Sequence, residues 1–440
     1  MRIKFSGLLS CCLLLLFTQT AFAARSIEAL VRSVISEDSS KSASAIAELR
    51  SRGPAGLEAL VAAHDVEIKG HMDNPTMVHT AEWIRLATAL DSVSQQRDSY
   101  LSKLYWYTNI DEARDAARAS GKPILSLRLL GKLTEEFSCA NSRFFRTVLY
   151  SNQEVADALR QRFILHWQTV RAVPRITIDF GDGRKLERTI TGNSIHYILD
   201  SEGRPVDGLP GLYSPQAFLA GITRAESLVR ELNSKNNNER NVLLAGFHRA
   251  RLNQLAVDWF NDTKAIGGNV PRGLSVTADQ SGQALAVMPI AVTKALSETS
   301  VLRSMMAAPA ALGRVTDEAA WTRIAALHSS TVKLDAASLG LIQRETQHLF
   351  AQEKDAPPEV RLRNLVEKLL AALALDTVRN EYLMHTKLHG WMALPRNREN
   401  VDILNEKVYA ELFLTPRSDQ WLGLLSPETY TALENAGVVR

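Results

Sequence analysis

Cys139 is the residue whose chemistry most needs an account. The chain holds three cysteines, and Cys11 and Cys12 fall in an N-terminal apolar run, so one thiol is left for the body of the protein and no internal disulfide can form there. Cys139-Ala140-Asn141-Ser142 sets that thiol at a helix start, three residues ahead of a hydroxyl. Free backbone N–H groups and the positive end of a helix dipole favour thiolate over thiol. Arg143 and Arg146 add positive field, which Glu135 and Glu136 oppose if they fold nearby. A lone thiolate can attack a disulfide and form a mixed disulfide, but with Ser142 where a resolving thiol would stand, release needs a second, external thiol. Ser142 can donate a hydrogen bond to the sulfur. Such chemistry takes protein or small-thiol partners. Its alternatives are a buried cysteine acting as a small hydrophobe, or ligation of a metal or cluster.

The histidines offer weaker constellations. His385 and His389 stand i, i+4 on a helical run with Glu381 one turn earlier, a spacing that can hold zinc. No glutamate follows His385 as in H-E-x-x-H, so the pair reads as surface or core packing and no metal is assigned. His64, His71 and His79 cluster around Gly70 and Pro75 and read as loop residues. His166 ends one apolar strand and His196 begins another; a neutral histidine at either place can act as acid or base, or serve as a hydrogen-bonded structural residue. His196 is the better placed of the two against Cys139. The expected site is therefore Cys139, Ser142, Asn141 and His196, with no cofactor.

These residues need elements to hold them. Residues 27–100 read as short helices, with Ser42 to Leu49, then Gly53-Pro54, then Leu57, Leu60 and Val61 at helical spacing. This pair resembles one unit of a HEAT-type α-solenoid, and a lone pair must pack on its neighbours. From Leu101 to about Leu232 helix and strand alternate. Asn109 with Glu112 caps a helix that Gly121 and Pro123 end. Ile124 to Leu130 is almost wholly apolar, as in a strand covered on both faces. Ser151 with Glu154 caps the next helix, and Phe163 to Trp167 is a second buried strand. Arg175 to Phe180 and Lys185 to Ile190 flank Gly181-Asp182-Gly183 as a hairpin expected to extend the sheet. Ile195 to Leu199 and Pro205 to Leu212 follow, and Ser214-Pro215 starts a helix. After a polar linker at Ser234 to Asn238 the runs are helical: Val242 to Phe260, Ala284 to Leu296, Ala319 to Ala326, Leu339 to Phe350, Glu359 to Leu375, Asn380 to Met392 and Val401 to Leu412.

The order helix, strand, cysteine at a helix start, helix, strand, then strand, Asp-x-x-Gly turn, strand and helix resembles the thioredoxin-like superfamily. Gly121 to Leu125, Cys139, Phe145, Glu154-Val155-Ala156, Asp200 to Arg204, Leu209-Pro210-Gly211 and Pro215 match motifs of exported thioredoxin-fold proteins. The match covers about Tyr105 to Leu228. It implies a thioredoxin-like α/β domain flanked by all-α regions, with a degenerate Cys-x-x-Ser motif. Three departures stand beside it: Ser142 replaces the second cysteine, Ser194 falls where a cis-proline is expected, and the connection from Leu130 to Cys139 is long.

Composition narrows the address. At 45% hydrophobic and 22% charged residues the chain is ordinary globular protein. Arg2 and Lys4, the apolar run Leu8 to Phe17 and Ala21-Phe22-Ala23 read as a cleavable signal over residues 1–23. Without Arg2 and Lys4 the 51 basic residues fall by two against 48 acidic ones, which leaves no field for nucleic acid. No later run supplies the roughly 18 apolar residues of a membrane span. The expected mature protein is periplasmic or secreted, with a helical region over 24–100, a thioredoxin-like domain over 101–232 and an all-helical domain over 239–440. Two functions follow: a monothiol redox or thiol-trapping role at Cys139, or a redox-inactive scaffold acting as a protein-interaction module.

Overall fold

In a computed structural model the protein is described over residues 25–189, 192–270, 306–351 and 356–421, with short stretches beyond. The expected signal segment and the expected helix Ala284 to Leu296 lie outside the described residues. The N-terminal helices are α1 (Ile27–Val34), α2 (Ser39–Ser51), α3 (Pro54–Ala63), α4 (Asp65–Asp73), α5 (Ala81–Ser94) and α6 (Ser99–Ser102). Ser26, Asp38 and Thr80 start three of them by accepting backbone N–H bonds. Their apolar faces close on one core that contains Leu30, Leu49, Leu60, Trp83 and Leu90. His71, expected in a loop, belongs to α4 and is buried, its ring stacked 3.6 Å from that of Trp83.

The middle of the chain is a mixed five-stranded sheet in the order β1-β3-β2-β6-β7. Its strands are β1 (Trp106–Tyr107), β2 (Ile124–Leu130), β3 (Ile164–Arg171), β6 (Ser194–Leu199) and β7 (Pro205–Pro210); β4 (Arg175–Asp179) and β5 (Lys185–Thr189) lie apart. β1 and β2 run parallel to β3, and β6 runs antiparallel to both β2 and β7. All seven residues of β2 are buried, as expected of a mostly apolar strand covered on both faces, and Arg128 within it pairs with Asp402 at 3.0 Å. α7 (Ile110–Ser120), α8 (Ala140–Phe144), α9 (Gln153–Arg162) and α10 (Pro215–Leu232) connect and cover the strands, and a π-helical turn, Phe145–Tyr150, continues α8. Asn152, not the expected Ser151, caps α9, its side chain accepting from the Val155 N–H.

The hairpin corrects one expectation. β4 and β5 pair only with each other, and Ile176, Ile178 and Phe180 point into solvent. A strand pair with no buried face has no register that would fuse it to the main sheet. The fifth strand is instead Trp106–Tyr107, too short to show a period.

The C-terminal helices are α11 (Asn237–Ala265), α12 (residues 306–315), α13 (Glu318–Leu327), α14 (Ala336–Ala351), α15 (Pro358–Arg379), α16 (Thr386–Met392) and α17 (Val401–Lys407). Asn236 and Glu239 form a reciprocal capping box, so the polar linker gives way to α11 after a few residues. A second π-helical turn, Asn380–His385, joins α15 to α16. These helices do not keep a core to themselves. One cluster runs from Leu127 and Leu209 of the sheet through Phe218 to Trp259, Trp321, Val378 and Tyr409. Another packs Ile195, Tyr197 and Leu199 against Leu388, Met392, Leu404 and Val408. The edge strand β7 is covered by helix on the C-terminal side, which protects it from pairing with another chain.

Candidate functional site

Cys139 stands at the N-terminal end of α8, the position its sequence context implies, and makes no capping bond through its side chain. The connection from Leu130 turns at Gly131, whose φ of +75° suits glycine, and returns so that the Cys139 N–H donates to the Leu130 carbonyl at 3.2 Å. This folds the thiol into the core beside Leu130, Phe145 and Tyr150, with 0% of the residue exposed. Burial pushes the thiol pKa up; the backbone and hydroxyl of Ser142, the Leu130 backbone and the charge of Arg143 offset it only in part. Ser142 is itself buried, its hydroxyl donating to the Cys139 carbonyl at 3.1 Å and meeting the Ser138 hydroxyl. Asn141 lies over Gly192, where an added Cβ would meet its Oδ1 at 2.9 Å.

The surrounding charges are spent elsewhere. Arg143 donates to the Ser138 carbonyl and to Thr189, and Arg146 donates to the carbonyls of Glu135 and Glu136. The carboxylates of Glu135 and Glu136 pair outward with Lys132 and Arg97. Cys139, Ser142 and the Arg143 charge are therefore together, while Asn141 and His196 serve other contacts.

His196 lies in β6, fully buried, with Nε2 2.6 Å from the Tyr150 hydroxyl and its ring against Phe145 and Phe218. His166 lies inside β3, bonded through Nδ1 to the Ser126 hydroxyl at 2.9 Å. Burial drives the pKa of each down to about 3. An unfolded histidine titrates near 6.5, so on acidification the unfolded chain takes up protons that the folded one refuses. Stability carried by these groups is thus lost as pH falls from about 6.5 toward 3. For His196 the loss between pH 7 and pH 5 is about 2 kcal/mol. A His196→Phe, Tyr150→Phe pair, which removes both ends of the bond, should flatten the profile by that amount. Denaturation midpoints at the two pH values check it, and parallel profiles would refute it.

His385 and His389 do not face solvent. They meet Asp207 of β7 and His248 of α11 inside the protein, all four residues buried. His385 Nδ1 lies 2.9 Å from Glu381 Oε2, and Glu381 receives Arg251 at 3.0 Å. Asp207 Oδ1 lies 3.7 Å from His385 Nε2 and 3.9 Å from His389 Nδ1, while His389 Nδ1 and His248 Nδ1 are 2.9 Å apart. Burial pushes Asp207 up and His385 down, but their mutual attraction, with Glu381 and the Gly208 N–H, leaves Asp207 below and His385 above their ordinary values. Nothing local in sequence joins Asp207 and His248 to the His385 pair. The one visible signal is a charged residue inside Pro205-Val206-Asp207-Gly208-Leu209-Pro210, an otherwise apolar strand.

No protein-family model matches the chain, and no curated protein and no solved structure matches it either. Among the described residues, no helix is long and apolar enough to cross a membrane.

Proposed function

We propose that this is an exported protein whose thioredoxin-like α/β domain is a redox-inactive scaffold, and that it acts by holding protein partners and not by exchanging disulfides. The observation that carries the reading is the complete burial of Cys139, with a thiol pKa raised by its surroundings. Attack on a disulfide needs an accessible thiolate. A core thiol offers neither access nor charge, and behaves as a small hydrophobe. The thioredoxin-like assignment rests on the element order around Cys139, with β6 and β7 antiparallel at one side and α10 after them. Export rests on Arg2, Lys4, the apolar run and Ala21-Phe22-Ala23.

Partner binding draws support from the way the helical regions meet. α4, α14 and α15 leave a groove of 1270 Å³ lined by Met72, Pro75, Leu339, Gly340, Leu362 and Val366. A concave apolar surface between helices suits a helical or extended protein segment. The test of the redox half is direct. Native protein incubated with glutathione disulfide keeps its unmodified mass. A stable one-to-one adduct on Cys139 without denaturant would overturn the scaffold reading and restore the monothiol one, with Ser142 as hydrogen-bond donor to the sulfur.

A further inference from the structure

We propose that Asp207, His248, His385 and His389 bind one divalent transition-metal ion of the zinc type, and that this ion fastens the C-terminal helices to the edge strand of the sheet. Three segments far apart in sequence bring four metal-ligating side chains to one place, and each of the four is buried. Imidazole and carboxylate in this ratio suit zinc and its neighbours in the first transition row, not calcium or magnesium, which take oxygen. Zinc bonds nitrogen and oxygen at about 2.0–2.2 Å, so tetrahedral ligands stand roughly 3.3–3.5 Å apart. The separations of 3.7, 3.9 and 2.9 Å straddle that spacing, and donor atoms of Asp207, His385 and His389 all fall within 4.8 Å of one another. His248 stands outside that set and touches it through His389 Nδ1, so its ring must turn for it to join as the fourth ligand.

Two further features point to a cation and not to a plain polar core. First, His385 is held as a ligand is held: Nδ1 bonds to the Glu381 carboxylate, which fixes the ring and leaves Nε2 aimed at Asp207. Metal-bound histidines are oriented by such an outer carboxylate. Glu381 is fixed in turn by Arg251 at 3.0 Å, with Arg224 at 4.0 Å, so its charge is already answered and it stays in the outer shell. Second, His385 Nε2, the atom aimed at Asp207, is buried without a hydrogen-bond partner. An imidazole nitrogen orphaned in the core is costly, and a bound cation would satisfy it.

The fold supplies a rigid frame. His385 closes the π-helical turn and His389 lies in α16, and insertions of this kind into helices often mark functional positions. Asp207 comes from a strand and His248 from the middle of α11, so the ligands sit on packed elements and not on loops. A pocket of 190 Å³, lined by Arg224, Val378, Tyr382 and Glu381, opens on the outer carboxylate, and none of the four metal-ligating residues lines it. Glu381, with 24% of its side chain exposed, lies between that pocket and His385. With His248 as the fourth ligand every position is taken by protein, the pattern of a structural site and not of a catalytic one.

The test uses the full mature chain, stripped with a strong chelator and titrated with zinc against a chromophoric competitor near pH 7.5. It should take up about one equivalent and melt at higher temperature when loaded, since an ion that binds only the folded state stabilises it. Cobalt added to the same stripped protein should give the visible d–d bands of a four-coordinate nitrogen–oxygen site. Asp207→Asn keeps the shape of its side chain and should abolish one-to-one binding. Glu381→Gln, which touches no metal, should weaken binding about 10–100-fold. Cys139→Ser should bind like the unaltered protein. Failure of the stripped protein to bind zinc or to develop the cobalt bands would overturn the proposal, and needs no variant to be folded. So would binding unchanged in an Asp207→Asn protein whose circular dichroism matches the original.

Discussion

Gly211→Val should remove about 4 kcal/mol of stability, the sum of a left-handed backbone forced on a β-branched residue and an overpacked interior. Gly211 follows β7 with φ at +85°. A Cβ built on it would stand 2.5 Å from Asn380 Nδ2, and that amide is buried and donates to the Leu212 carbonyl at 2.6 Å. The intruding side chain therefore breaks a buried hydrogen bond as well. Asn380 opens the π-helical turn that carries Glu381 and His385, so damage at Gly211 reaches the histidine cluster. Gly211→Ala should lose roughly half as much, because it carries the clash at Cβ without β-branching. Denaturant midpoints measure both. A valine variant within about 1 kcal/mol of the parent would show that the strand and turn do not pack as described.

Arg344→Ala should cost about 3 kcal/mol and loosen the N-terminal helices from the rest of the protein. The guanidinium leaves α14 to donate to Asp98 at 2.7 Å and to the Tyr100 hydroxyl, with both charged side chains mostly buried. Removing one partner of a buried pair leaves the other charge stranded, which costs about 3–5 kcal/mol. Asp98 would be left with Arg97 at 3.8 Å and beside Asp91, whose carboxylate already takes the N–H groups of Asp98 and Ser99. An exposed pair provides the control. Lys69→Ala removes a surface bridge to Asp65 and should leave stability almost unchanged. Hydrogen exchange over residues 25–100 should rise in the Arg344 variant, and unchanged exchange there would refute the clamp.

What sequence could reveal follows from how locally each feature is encoded. β2 and β6 read directly because short, mostly apolar runs bounded by turn residues fit strands covered on both faces, and Ser214-Pro215 and Asn109 start helices through side chains next in line. The hairpin around Gly181 was equally plain as a turn, but whether it joins the sheet depends on a face it does not have. Trp106–Tyr107 became a strand only because β3 offered it a partner. At the site, the helix start at Cys139 is visible, whereas its burial depends on the long connection, which turns at Gly131 and puts Leu133 in the same buried cluster. His385 and His389 stand out by spacing, and that spacing alone reads as packing. Asp207 and His248, which change the meaning of that pair, reach it only through tertiary structure.

The central claim is that Cys139 is a core thiol, and the rate of its alkylation by iodoacetamide across a denaturant series tests it most directly. If the thiol reacts only when the protein opens, labelling in buffer is slower than that of a free cysteine by the equilibrium constant for opening. The logarithm of the rate then climbs with denaturant at the slope of global unfolding. Rapid labelling in buffer, flat against denaturant and rising with pH at the titration of the thiol, would place Cys139 at the surface and contradict the account.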